Sequence, residues 1–80
     1  MRVVEEIAFP GCKVSILAMN QKFIIKFEKG SLEQTYKVAE IDLIFGLDDV
    51  KKMLNEDFLT KVMDRFRQMD ADFEEQLSAL

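Results

Sequence analysis

The sequence predicts an α+β fold: an antiparallel β-meander, then a short helix, then a long C-terminal amphipathic helix packed on one sheet face. Three observations carry this prediction. Lys22 to Glu28 and Leu32 to Val38 alternate apolar and polar residues with the period of two that belongs to strands. The joints between the apolar runs are short turn sequences, Asn20-Gln21 and Lys29-Gly30-Ser31. Near the C-terminus, Phe58, Val62, Phe66, Met69, Phe73, Leu77 and Leu80 recur at spacings of four, four, three, four, four and three. At about 100° per residue these side chains form one continuous helical stripe.

The strands follow in order. Lys13 to Met19 is short, apolar and β-branched, which favours a strand over a helix. In Lys22 to Glu28, Phe23, Ile25 and Phe27 share one face, while Ile24, Lys26 and Glu28 share the other. Leu32, Gln34, Tyr36 and Val38 then oppose Glu33, Thr35 and Lys37. Short connections make these three strands antiparallel neighbours. Arg2 to Phe9 reads either as a fourth strand ending at the Pro10-Gly11 turn or as a segment lying on the sheet. Ala39 to Phe45 is ambiguous, with Ile41, Leu43 and Phe45 at strand spacing before Gly46 breaks the run.

A short helix is expected after Gly46, with Asp48 as its N-cap and Val50, Met53 and Leu54 on one face. The long helix is expected from Asn55, its cap, to the last residue, with Glu56 and Asp57 complementing the dipole in the first turn. Four acids, Asp70, Asp72, Glu74 and Glu75, oppose the dipole near its end, so a break near Asp70 is the alternative. The predicted core comprises Val14, Ile16, Phe23, Ile25, Phe27, Tyr36, Val38, Val50, Leu54, Phe58, Val62 and Phe66.

Composition narrows the classes of function. Eighty residues make one domain, 1–80, and a chain this size gains modest stability from burial alone. A single Cys and no His leave neither an intrachain disulfide nor a zinc site to reinforce it. Oligomerisation is the reinforcement left. No secretory signal is read at the N-terminus, and no uncharged stretch is long enough to span a bilayer, so the cytoplasm is the expected compartment. The net charge of −4 divides unevenly: residues 1–38 carry six basic and four acidic side chains, residues 39–80 five basic and eleven acidic.

Residue types that support chemistry are sparse. Cys12 follows Pro10-Gly11 but has only Lys13 nearby in sequence to favour a thiolate. The acidic pairs fall at helix starts or on surfaces, and the Asp70–Glu75 stretch lacks the glycine of a calcium loop. Lys22, Lys26, Lys29 and Lys37 with Phe23 and Tyr36 are residue types of a sheet that stacks bases, yet the rings fall on the face assigned to the core. Met53, Met63 and Met69 sit near the helical apolar face, where core filling is their ordinary use.

The expectation is a non-enzymatic interaction module without cofactor, metal or small-molecule ligand. Its surface is Met69, Phe73, Leu77 and Leu80, and its partner is a second copy, as a homodimer, or another protein. A nucleic-acid-binding module using the basic sheet face is the alternative, and an enzyme with a carboxylate or Cys12 site is the third reading.

Overall fold

Four antiparallel strands and two helices make up the computed structural model, which describes residues 2–39 and 46–80. Strands β1 (Arg2–Phe9), β2 (Cys12–Met19), β3 (Lys22–Lys29) and β4 (Leu32–Ala39) form one open sheet in the order β1-β2-β3-β4. Helices α1 (Leu47–Met53) and α2 (Glu56–Ser78) follow. The ambiguous N-terminal segment is thus the fourth strand. The strand pattern of Ile41, Leu43 and Phe45 lies outside the described residues.

The hairpins owe their tightness to backbone that most residues avoid. Gly11 follows Pro10 with φ of 92°, the left-handed position that a Pro-Gly turn requires. Asn20 and Gln21 both take positive φ, 47° and 61°, the pattern of a turn whose twist matches that of its strands. The Asn20-Gln21 turn sets the register Val14↔Phe27, and the turn at Gly30, with φ of 60°, sets Ile25↔Tyr36; both align the apolar rows of adjacent strands on one face.

That face carries the core. Val14, Ile16, Ile25, Phe27, Val50, Val62 and Phe66 are fully buried, and Tyr36, Val38, Leu54 and Phe58 pack against them. Every residue of the predicted core belongs to this cluster. Phe27, Tyr36 and Phe58 form a three-ring group, with centroids 6.0, 5.8 and 5.5 Å apart in edge-to-face pairs.

Four details differ from the sequence reading. Gly46, not Asp48, occupies the N-cap of α1; Asp48 lies in the first turn, where its charge still suits the dipole. Met53 faces outward at 38 % exposure while Val50 takes the core position. Leu17 and Ile24 point away from the helices yet are only 8 % and 6 % exposed. They lie directly opposite one another in the two central strands, flanked by Val3 and Lys37. Finally, α2 runs unbroken through Asp70 as expected but stops at Ser78, so Leu80 lies beyond the helix rather than on it.

Candidate interaction surface

Helix α2 is anchored at its start and free at its end. The Asn55 side chain accepts a hydrogen bond from the Phe58 amide at 2.9 Å, satisfying one of the donors that every helix start leaves open. Asp57 and Lys61 pair at 3.2 Å one turn apart. Phe58 then joins the ring group over β3 and β4, and Val62 and Phe66 are fully buried.

A polar contact fixes the helix along β4. The buried Gln34 side chain donates from Nε2 to the Val62 carbonyl at 2.9 Å, and its Oε1 accepts from the Tyr36 hydroxyl at 3.1 Å. Val62 sits mid-helix, so its carbonyl also serves the ladder, and Gln34 occupies the second lone pair. No buried side-chain polar atom among the described residues is left without a partner.

Past Met69 the situation changes. Met69 is half-buried and packs against the core, but every residue from Asp70 to Leu80 is exposed. Phe73 is 50 % and Leu77 47 % exposed, and Leu80 is fully exposed. At about 100° per residue, Val62, Phe66, Phe73 and Leu77 fall within about 60° of arc, so the face that covers the sheet continues beyond it. The molecule measures 46 × 25 × 21 Å with a radius of gyration of 14.3 Å. A compact chain of this length would have about 12 Å, and the projecting helix accounts for the excess. Of the four predicted surface residues, Phe73 and Leu77 share the free helical face, Met69 joins it to the core, and Leu80 stands past its end.

A second concavity, hidden from sequence reasoning because its walls are distant in the chain, lies beside the first half of α2. It is an open groove of about 820 Å³, with Phe9, Cys12, Leu59, Met63, Lys29 and Arg67 among its lining. Met63 reaches over Gly11, where an added Cβ would stand 3.0 Å from its terminal methyl.

Burial pushes the Cys12 thiol above its ordinary pKa, and Lys29 only partly opposes this. Less thiolate is therefore present at neutral pH than in a free cysteine. Alkylation of Cys12 by iodoacetamide at pH 7.5 is expected to run slower than that of a cysteine peptide, and to reach the peptide's rate in denaturant. An equal rate in the folded protein contradicts this.

Several acidic side chains on the sheet form ion pairs. Glu5 meets Lys51 at 3.5 Å, Glu6 meets Lys13 at 3.7 Å, and Lys26 meets Glu33 at 3.9 Å. Among the described residues, no group of three or more acidic or Cys side chains is placed to hold a metal ion. Phe23 and Tyr36 face the helices and Lys26 and Lys37 the other side of the sheet. No helix among the described residues is long and apolar enough to cross a membrane. No protein family, curated protein or solved structure matches this chain.

Proposed function

We propose that this chain is a small protein–protein interaction module that self-associates through the distal half of α2. One observation carries the reading: Phe73 and Leu77 lie about half exposed on the same helical arc as the fully buried Val62 and Phe66. An apolar face built to cover a sheet continues where its own sheet has ended. Covering it with a second copy removes apolar area from water at about 25 cal/mol per Å².

Charge opposes this pairing and sets its conditions. The distal half carries Asp70, Asp72, Glu74 and Glu75 and no basic residue. Two such halves repel each other at low ionic strength, and at about 0.1 M salt a screening length near 10 Å weakens the repulsion. Association is expected to strengthen with added salt.

Light scattering over a range of protein concentrations tests the reading. At moderate salt the mass is expected to rise from 9.3 kDa toward twice that value. The double variant Phe73→Asp, Leu77→Asp is expected to remain folded and monomeric, because neither residue belongs to the core cluster. A wild-type mass of 9.3 kDa at every concentration, or a double variant that dimerises like the wild type, overturns the proposal.

A further inference from the structure

We infer that the groove beside the first half of α2 binds a medium-chain fatty acid, with its carboxylate on Lys29 and its alkyl chain along Met63 and Leu59. This inference is independent of the self-association proposed above. It departs from the sequence expectation of no small-molecule ligand, because no single segment of the chain carries the groove.

The floor comes from one row of the sheet. Phe9 pairs with Cys12 across β1 and β2, and Lys29 pairs with Leu32 across β3 and β4. Lys13 pairs with Glu28, so the same register sets Cys12 level with Lys29. Phe9, Cys12 and Lys29 therefore stand side by side at the end of the sheet. Alternation along β3 puts Lys29 on the face of Phe23, Ile25 and Phe27, which carries the core. A cation thus ends a row that is otherwise apolar, and that cation lines the groove.

The wall comes from α2. Glu56, Leu59, Met63 and Arg67 line the groove at spacings of three, four and four, along one side of the helix. They span about 16 Å of its axis. Phe9, Leu59 and Met63 are only half-buried, so apolar surface stays uncovered between the two ends.

Charge divides along this length. Arg67 is the last α2 residue of the groove, and it shares an adjoining hollow with Lys29, Gly30 and Phe66. The two cations therefore stand at one end and Glu56 at the other. Arg67 is already paired with Asp64. Lys29 has no ion pair among the described residues, so its charge is the one left for a ligand.

These features select the occupant. A volume of about 820 Å³ falls within the roughly 300–1,000 Å³ of small-molecule sites. Covering Phe9, Leu59 and Met63 takes an apolar body, and its removal from water drives binding. Lys29 takes one anionic head. A second anion is disfavoured, because Asp64 neutralises Arg67 and Glu56 repels it at the far end. An extended dodecanoate chain is about as long as the groove and brings no further polar group into it. The flexible side chain of Met63 adapts to such a chain.

Titration with dodecanoate, below the concentration at which it aggregates, tests the inference. The methionine methyls are isotope-labelled for magnetic resonance, and the protein is kept dilute enough to be monomeric. The Met63 methyl signal is expected to shift, while that of Met53, outside the groove, stays in place. Lys29→Gln, at an exposed position, is expected to stay folded and to bind dodecanoate about three- to fivefold more weakly, the effect of one exposed ion pair. Dodecanol, the same chain without the charge, is expected to bind both proteins alike. No shift at Met63 overturns the inference, and so does equal dodecanoate affinity in wild type and Lys29→Gln. A shift at Met69 that disappears in the Phe73→Asp, Leu77→Asp variant also overturns it, because the chain then lies on the free end of α2. Phosphatidylglycerol vesicles in place of dodecanoate are expected to leave Met63 unmoved. A shift with vesicles overturns the inference in favour of a bilayer surface.

Discussion

Phe27→Ala is expected to cost about 3–5 kcal/mol, the range for deleting a fully buried ring that cannot be replaced by collapse of its surroundings. Phe27 is completely buried and meets Tyr36 and Phe58 edge to face at 6.0 and 5.8 Å. Its removal takes away the apolar burial, two aromatic pairs and the packing between the sheet and the start of α2. A domain of this size has roughly 4–12 kcal/mol in total, so the variant keeps little or none of it. Urea unfolding followed by circular dichroism checks the effect. Phe73→Ala is the matched control: the same residue type at half exposure, measured at a concentration where the protein is monomeric, is expected to cost about 1 kcal/mol or less. Similar losses for the two would mean that the three-ring group does not anchor the fold.

Gln34→Glu is the second large change, though it alters a single atom. The amide nitrogen at this position donates to the Val62 carbonyl at 2.9 Å, in a site only 7 % exposed. An ionised carboxyl there has no proton to donate and sets a negative charge against a carbonyl oxygen. An uncompensated buried charge of this kind costs roughly 3–5 kcal/mol. Both burial and the facing carbonyl favour the protonated form, so the introduced carboxyl has a higher pKa folded than unfolded. Its neutral form fits the site below the unfolded value, about 4.3 for a glutamate, and stability falls as pH rises above that. The penalty relative to wild type is therefore expected to be large at pH 7 and much smaller at pH 4. Equal penalties at the two pH values would show that the Gln34–Val62 bond is not what the substitution disturbs.

Legibility of this fold in the sequence follows from the range of the interactions involved. Strands β2, β3 and β4 were readable because alternation, turn residues and β-branching are local signals, and the long helix because its stripe keeps one period throughout. Strand β1 was ambiguous for a structural reason. A β-bulge between Val3 and Glu5 inserts Val4 into the pairing with β2, so alternation breaks in the middle of the strand. Gln34 was placed on the correct face, but its hydrogen bond to Val62 spans 28 positions and leaves no local trace. Ile24 shares its strand face with Lys26 and Glu28, and its burial reflects its place opposite Leu17 in the two central strands. The exposed part of α2 follows from its length, since a helix of 23 residues outruns a small sheet. The groove beside Cys12 was not, because it is formed by segments far apart in the chain.

The continuity of α2 bears on how a partner would be met. An isolated helix of nine residues does not persist in water, because its first turn must fix several residues for one hydrogen bond. The segment from Asp70 to Ser78 avoids that cost. Its helix is already nucleated by the Asn55 cap and by the docking of Phe58, Val62 and Phe66, so the exposed turns need only propagate. The surface bearing Phe73 and Leu77 is thus shaped before anything touches it, and little of the backbone's freedom remains to be lost on association. If the self-association proposed above holds, its two apolar turns start from an ordered backbone that the same residues on a disordered tail would lack.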